Sequence, residues 1–243
     1  MIYFASDFHL GYPDYEQSRL REKKIVSWLD FISSDARQIH LVGDIFDFWF
    51  EWKKVVPKYF IRFLGKLAEL TDRGIEVHFY IGNHDVWTFG YLEREIGLIV
   101  HKSRQVQTIL DKTFVIEHGD QTPYESRVYK LMTGVFRNTV AQWLYANLLH
   151  PDWASALAQA FSSRRDRASE IAGFKGEQEK QIRFVRWLQK NGFLADYYVF
   201  GHRHLAYQYR VNNSQLTVLG EWMNSCTYAK FDGQTVRLLT WNS

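Results

Sequence analysis

The chain has 243 residues, of which 46% are hydrophobic, and a net charge of +3 at pH 7. This size and composition predict one folded domain with an ample core, and so small a charge gives no support to nucleic acid as a partner. The single cysteine, Cys226, excludes an internal disulfide and cysteine-based zinc sites, and the lack of a basic leader or a long apolar run predicts a cytoplasmic chain without a spanning helix.

The first half of the chain alternates between short apolar runs and helical patterns. Residues 2–5, 39–42 and 77–81 are apolar runs that end at glycine or polar residues, which is typical of buried strands. Apolar residues recur every three or four positions in 15–33 and 57–72, which predicts two amphipathic helices. The order strand, helix, strand, helix, strand predicts a mostly parallel sheet covered by helices.

Further strands are predicted nearer the C-terminus, most of them in hairpins. The dipeptides Asp111-Lys112, Asn212-Asn213 and Asp232-Gly233 lie between apolar or alternating runs and are turn signals. The strands predicted in this half are 106–110, 113–117, 197–200, 206–211, 215–219, 228–231 and 235–240.

Residues 121–195 carry no strand signal and are helical in period and rich in aromatic side chains. We therefore predict a single domain over residues 1–243. Its core would be residues 1–120 and 196–243, and residues at about 121–195 would form a helical insertion, or cap, on that core.

Five short polar motifs each follow a predicted strand. They are Asp7-Phe8-His9, Gly43-Asp44-Ile45-Phe46-Asp47, Gly82-Asn83-His84-Asp85, His118-Gly119-Asp120 and Gly201-His202-Arg203-His204. In an open α/β sheet the loops after the carboxyl ends of the strands meet in one crevice, so these side chains are expected to converge. Each motif alone is weak evidence, because Gly-Asp often marks a turn and single histidines are often surface residues. The five together predict a metal site.

The residue types in these motifs indicate which metals the site would hold. Carboxylate, imidazole and amide groups without thiolate suit Mn, Fe, Zn, Co or Ni. The candidate ligands are Asp7, His9, Asp44, Asn83, His118, His202 and His204. Seven ligands are too many for one catalytic ion with an open position, and they suit two divalent ions about 3.5–4 Å apart. We expect Mn²⁺, with Fe, Zn, Co or Ni as alternatives.

The motifs, in this order, resemble those of the calcineurin-like metallophosphoesterases. The resemblance covers residues 1–120 and 196–243 and implies an α/β fold, a four-layer α-β-β-α sandwich of two mixed sheets. It also implies the role of each ligand. Asp7, His9 and His204 would hold the first ion, Asp44 would bridge, and Asn83, His118 and His202 would hold the second.

The same resemblance implies a mechanism of phosphate ester hydrolysis. A water activated by the two metals would attack phosphorus in line, and the ions would stabilise the charge on the phosphoryl oxygens. His84 would face the phosphate as a catalytic residue, and Asp47 would hold its other ring nitrogen. A helix or turn cap is the alternative role for Asp47.

The residues around the motifs resemble, more closely, the UDP-2,3-diacylglucosamine diphosphatases of lipid A synthesis. The segments that carry this likeness are 6–11, 43–49 and 201–204, together with the insertion that follows His118-Gly119-Asp120. The resemblance implies hydrolysis of a pyrophosphate to UMP and lipid X, with an amphiphilic nucleotide-sugar lipid as the substrate. The best-known branch has arginine at the position of His84, so a different phosphodiester or pyrophosphate is the alternative substrate.

Basic and aromatic residues are interleaved in the second part of the insertion, from 161 to 190. This pattern favours contact with an anionic head group and peripheral contact with the cytoplasmic face of the inner membrane, although a solvated helix face is the alternative. The predicted substrate-binding residues are Asn83, His84, Arg164, Arg167, Lys175 and His202.

Three rival functions follow from the same residues. The first is a soluble phosphodiesterase or nucleotide pyrophosphatase with a non-lipid substrate. The second is a nuclease, which the modest number of basic residues disfavours. The third is an inactive scaffold, and it is disfavoured because all seven ligand positions and His84 carry competent residue types. The sequence predicts no particular oligomeric state.

Overall fold

The computed structural model describes residues 1–154 and 173–242. The strands are β1 (Ile2–Ala5), β2 (Gln38–Val42), β3 (Glu76–Tyr80), β4 (Ile99–His101), β5 (Gln105–Ile109), β6 (Lys112–Ile116), β7 (Tyr197–Phe200), β8 (Tyr207–Val211), β9 (Ser214–Val218), β10 (Thr227–Phe231) and β11 (Val236–Thr240). The helices are α1 (Tyr15–Ile32), α2 (Ile61–Asp72), α3 (Tyr91–Ile96), α4 (Arg127–Arg137), α5 (Thr139–Leu148) and α6 (Lys180–Lys190), with a 3₁₀ turn at Gly176–Gln178. Within these described ranges, no helix combines the length and apolar composition needed to cross a membrane.

The strands form two mixed sheets. The first has the order β11-β10-β1-β2-β3-β4, and the second has the order β5-β6-β7-β9-β8. Strands β1 to β4 run parallel in the first sheet, and β6, β7 and β9 run parallel in the second. Both sheets therefore present a set of carboxyl strand ends, which is where polar loops can meet.

The core consists of three apolar layers, because successive side chains of a strand point to opposite faces of its sheet. In β1, Tyr3 and Ala5 pack with helices α1 and α2, whereas Ile2 and Phe4 face the second sheet. A third layer joins the outer face of the second sheet to α6, which buries Ile182, among others, against it. Because neighbouring side chains on a strand point to opposite faces, each sheet can bury both faces in this way. The arrangement confirms the predicted α/β sandwich of two mixed sheets with helices.

The segment predicted as an insertion contains helices of two kinds. Helix α6 is part of the layer on the second sheet, whereas α4 and α5 contain no buried residue. The division of the chain into a core and a cap stays a prediction.

Two local differences from the predicted elements have simple causes. Helix α2 begins at Ile61 and not at residue 57, because Phe60 has a left-handed backbone (φ 68°) that a helix cannot include. Helix α3 and strand β4 were not predicted, since six and three residues are too few to show a period.

Three histidines form a stack across the first sheet. His40 packs on His78 with ring centroids 4.5 Å apart, and His78 packs on His101 at 5.2 Å. The Nδ1 atom of His78 lies 2.9 Å from Nε2 of His101, and Tyr80 closes the group through a 3.1 Å hydrogen bond with Nδ1 of His40. Burial, together with repulsion between the rings, lowers the pKa of His40 and that of His101, the latter to about 4. The stack is therefore neutral at pH 7.

We expect this stack to make the protein sensitive to acid. Between pH 6.5 and 4, His101 binds a proton in the unfolded state but stays neutral in the folded state. The free energy of unfolding therefore falls as the pH is lowered through this range. Because His101 is only half-buried, its share is about 2 kcal/mol. Urea titrations at a series of pH values should show a shallower loss for His101→Gln. His150→Gln, at an exposed position, is the control. Equal slopes in wild type and His101→Gln would remove the stack from the explanation.

Candidate metal centre

The loops that carry the candidate ligands all leave carboxyl ends of strands. Asp7 and His9 follow β1, Asp44 follows β2 and Asn83 follows β3 in the first sheet. His118 follows β6 in the second sheet. His202 and His204 follow β7, which is parallel to β6, so the two sheets contribute to one cluster.

Five of these residues have an unusual backbone conformation. Asp7, His9, Asp44, His202 and His204 have φ values of 55°, 44°, 52°, 68° and 56°. Side chains other than glycine rarely adopt this left-handed region, and each instance costs on the order of 1 kcal/mol or more. Strain gathered at one set of polar residues is typical of functional sites.

The two aspartates each use one oxygen to fix a loop. Oδ2 of Asp7 accepts hydrogen bonds from the Ser6 hydroxyl (2.5 Å) and from the His202 amide (3.0 Å). Oδ1 of Asp44 accepts one from the His84 amide at 3.0 Å. The remaining oxygens face imidazole rings: Oδ1 of Asp7 lies 3.2 Å from Nε2 of His204, and Oδ2 of Asp44 lies 3.3 Å from Nε2 of His118.

The Nδ1 atoms of three histidines face oxygen acceptors. The Nδ1 atom of His118 donates to the Val42 carbonyl at 2.9 Å, and that of His84 donates to the main-chain carbonyl of Asp47 at 2.7 Å. The Nδ1 atom of His9 lies 3.4 Å from the Asp47 carboxylate. A carbonyl oxygen can only accept, so the proton is placed on Nδ1 and the lone pair of Nε2 is left for the centre.

The Nε2 atoms and carboxylates form overlapping groups of the size that a metal ion requires. Asp7, His9 and His204 form one group, and Asp44, His118 and His202 form another. Asp44 also groups with His9 and His84, so its carboxylate lies between the two sets. The Nε2 atoms of His9 and His204 are only 3.1 Å apart. Converging lone pairs and carboxylates fit divalent cations, which such donors bind well.

Asn83 adds an amide oxygen to this cluster. Its Oδ1 atom is buried and accepts no hydrogen bond from the described residues. A buried polar atom without a hydrogen bond costs free energy, and a ligated cation is the usual compensation at such a position. The donors present therefore fit the metals that the sequence predicts.

The charges of the cluster favour cation binding. Burial by itself would raise the pKa of Asp44. The attraction of the His118 and His84 imidazoles is stronger than this effect and holds the pKa well below its ordinary value. Burial lowers the pKa of His118, and the Asp44 carboxylate more than offsets this and raises it to about 10. A metal ion that binds His118 would displace its proton, so affinity should rise with pH.

The supporting residues of the site were not predicted. Asp85 accepts hydrogen bonds from the Gly82 amide (2.6 Å) and the Ile45 amide (2.7 Å), and so joins the loops after β3 and β2. Its burial and the nearby Asp44 carboxylate raise its pKa to about 7. Arg21 on α1 donates to the His9 carbonyl at 3.0 Å. Asp85 is the last residue of the motif Gly82-Asn83-His84-Asp85, so the sequence did indicate that it lies near the site.

The predicted catalytic pair lies beside the cluster with one difference in detail. His84 is held by the main-chain carbonyl of Asp47, while the Asp47 carboxylate is 3.7 Å from His84 and nearer to His9. Of the predicted head-group contacts, Lys175 lies in an exposed segment before the 3₁₀ turn. Arg164 and Arg167 lie outside the described residues.

The comparison with known proteins agrees with this geometry. The family model of the calcineurin-like phosphoesterases matches residues 1–206, and the chain belongs to that family. It is therefore a hydrolase of the phosphoesterase class, as the motifs predicted, and the family implies divalent metals at the site.

Particular relatives carry a more specific name. The chain is 39% identical to a UDP-2,3-diacylglucosamine hydrolase of Porphyromonas gingivalis, over 98% of this chain and 96% of that protein. It is 26% identical to the UDP-2,3-diacylglucosamine hydrolase of Neisseria meningitidis serogroup A, over 91% of this chain and 90% of that protein. Among solved structures, a novel archaeal phosphodiesterase matches with a TM-score of 0.48 and 13% identity, over 99% of both chains.

Proposed function

We propose that this protein hydrolyses the pyrophosphate of UDP-2,3-diacylglucosamine and releases UMP and lipid X. The proposal rests on one observation: helices α4 and α5 expose apolar side chains, and α4 packs beside the candidate metal centre. The name of the relatives, one of them 39% identical over 98% of the chain, supports it.

The exposed apolar side chains of α4 and α5 follow a helical spacing. On α4 they include Val128, Leu131 and Val135, and on α5 they include Val140 and Trp143. Exposed stripes of this kind suit the acyl chains of a lipid substrate, because apolar surface is stabilised when it leaves water.

Helix α4 packs beside the metal centre. Arg137 at the end of α4 contacts the Asp120 carboxylate at 3.4 Å, and the indole of Trp87 donates to the Phe136 carbonyl at 2.6 Å. The ring of Tyr129 lies 6.2 Å from that of His202. An acylated sugar held by α4 and α5 would therefore have its phosphate beside the cluster.

The chain's residues divide the work of hydrolysis in this proposal. Asp7, His9 and His204 would hold one ion, Asn83, His118 and His202 the other, with Asp44 between them. Two divalent ions would supply Lewis acidity and lower the pKa of water at the centre. His84, whose Nδ1 donates to the Asp47 carbonyl, would direct Nε2 at the phosphate and, as an imidazolium with a proton on both nitrogens, would bind the phosphate charge or protonate the leaving oxygen. Asn83 and His202 would also contact the phosphate.

The proposal includes Mn²⁺ as the metal and peripheral contact with the cytoplasmic face of the inner membrane. Trp143 and Trp153 are exposed, and such side chains favour the membrane interface. Lys175, Arg164 and Arg167 would contact the head group. Co-sedimentation with anionic vesicles measures the membrane contact, and protein that stays in the supernatant would contradict it.

The substrate can be tested by comparing an acylated and a generic substrate. With Mn²⁺ and detergent, we expect release of UMP from UDP-2,3-diacylglucosamine at least about 10²-fold faster than from UDP-N-acetylglucosamine, since acyl binding contributes several kcal/mol. Leu131→Glu, at a side chain that is 73% exposed on α4, should lower the ratio of turnover on the acylated substrate to turnover on bis(p-nitrophenyl) phosphate.

The matched control for that variant is Leu20→Glu on α1, where the leucine is 66% exposed. This change should leave the ratio at the wild-type value. Equal rates on acylated and unacylated nucleotide sugars would instead favour a nucleotide pyrophosphatase with a non-lipid substrate.

A further inference from the structure

A groove of about 800 Å³ opens next to the metal centre, on the side of His9 and Asp47. Its walls are the loop between β1 and α1, the first turns of α1 and the long segment between β2 and α2, and Pro151 and Asp152 after α5 also line it. Among the described residues that line it, the aromatic ones are Tyr12, Tyr15, Phe48, Trp52, Tyr59 and Phe60. This volume is within the range of small-molecule sites.

The groove begins at a residue of the catalytic cluster. Asp47 is one of the residues that line it, and the same residue accepts a hydrogen bond from His84 with its carbonyl and faces His9 with its carboxylate. The groove therefore adjoins the cluster through Asp47, next to the place that the phosphate of a substrate would occupy.

Two exposed aromatic rings are among the side chains that line the groove. Tyr15 is 54% exposed and Tyr59 is 46% exposed, their centroids are 5.8 Å apart, and their planes are inclined at 56°. The ammonium group of Lys58 lies 5.5 Å from the centroid of Tyr59, which places a positive charge next to the rings. Exposed aromatic faces are the usual platform on which a nucleobase stacks.

The lining favours a polar occupant over an aliphatic one. Asp14, Arg19 and Glu22 contribute charged groups to the groove. Arg19 lies 3.4 Å from Glu22, and Asp14 accepts hydrogen bonds from Gln17. An acyl chain beside these groups would remove water from them and form no hydrogen bond in return. Ribose hydroxyls and base edges can form hydrogen bonds with such groups. The purely apolar stripes on α4 and α5 suit acyl chains better.

We propose that this groove binds the nucleoside half of the substrate, with the base against Tyr15 and Tyr59, while the acylated half lies along α4 and α5. The inference rests on the proposed function and divides its substrate between two sides of the metal centre.

The test uses inhibition of a generic substrate, so it does not depend on turnover of the lipid. Inhibition constants of UMP and of ribose 5-phosphate are measured against hydrolysis of bis(p-nitrophenyl) phosphate in the presence of Mn²⁺. In wild type we expect UMP to inhibit about 10-fold more tightly than ribose 5-phosphate, because only UMP carries a base that can stack. Taking the ratio within each variant cancels any change in basal rate.

The double variant Tyr15→Ala, Tyr59→Ala should bring that ratio close to one. Phe31→Ala, another exposed aromatic residue on α1, is the control and should keep the wild-type ratio and rate. A ratio near one in wild type, or a ratio that survives in the double variant, would overturn the inference. So would a double variant that loses inhibition by lipid X but keeps inhibition by UMP, because the groove would then hold an acyl chain.

Failure of the proposed function gives a different result. In that case UDP-2,3-diacylglucosamine would not be turned over, while the preference for UMP over ribose 5-phosphate and its loss in the double variant would remain.

Discussion

Asp44→Asn is expected to lower kcat/KM on bis(p-nitrophenyl) phosphate by on the order of 10³-fold, which corresponds to about 4 kcal/mol of lost transition-state stabilisation. The Asp44 carboxylate is fully buried and lies between the two sets of candidate ligands. Asparagine keeps the shape and can still accept the hydrogen bond from the His84 amide, but it removes the charge that two cations would share. The measurement is steady-state kinetics at several Mn²⁺ concentrations, together with the metal content of the dialysed protein.

His84→Ala distinguishes loss of metal from loss of catalysis. Because His84 is proposed to act on the phosphate and not to hold an ion, this variant should keep the wild-type metal content while kcat falls by about 10²-fold. If Asp44→Asn kept full activity, the bridging role would be wrong. If His84→Ala lost metal to the same extent as Asp44→Asn, His84 would be a ligand.

Gly82→Ala is expected to damage the centre although it adds one methyl group and changes no ligand. A Cβ atom at this position would lie 2.2 Å from Oδ1 of Asp44 and 2.5 Å from its main-chain nitrogen. The backbone cannot yield cheaply, so the loops after β2 and β3 must separate, which should cost about 2 kcal/mol of unfolding free energy. We expect activity to fall by on the order of 10²-fold as Asp44 is displaced.

Gly65→Ala is the matched control for this substitution. Gly65 lies within α2, and a Cβ atom there would meet nothing within 4 Å. Alanine should therefore stabilise the helix by about 0.5–1 kcal/mol and leave activity unchanged. Thermal melts and kinetics of both variants make the comparison, and a harmless Gly82→Ala would mean that the loops are not as closely packed as described.

The strand pattern predicted a mostly parallel sheet and the convergence of the candidate ligands for the same physical reason, whereas the sandwich of two sheets was implied by the resemblance to the calcineurin-like phosphoesterases. Apolar runs of strand length ended at polar motifs, and parallel strands bring such ends together whatever lies between them. Such a prediction requires only the residue types and their order. In the structure Asp7 and His204 lie in one cluster, although they are far apart in the sequence. The roles of the individual residues stay predictions until the variants above are measured.

Other features could not be read from residue types. The contact from Asp47 to His84 is made by a main-chain carbonyl, which every residue has. Arg21 on α1 looks like any surface charge until the fold places it under the His9 carbonyl. Helix α6 has the same helical period as α4, and only tertiary packing distinguishes the helix that covers the second sheet from the one that exposes its apolar side chains.

Anomalous X-ray diffraction from crystals grown with Mn²⁺ is the decisive measurement for a centre of two metal ions built from both sheets. We expect two anomalous peaks about 3.5–4 Å apart, with the Asp44 carboxylate between them. The first should lie beside Asp7, His9 and His204, and the second beside Asn83, His118 and His202. A single peak at saturating Mn²⁺, or peaks away from these side chains, would rule out a two-metal centre at this site.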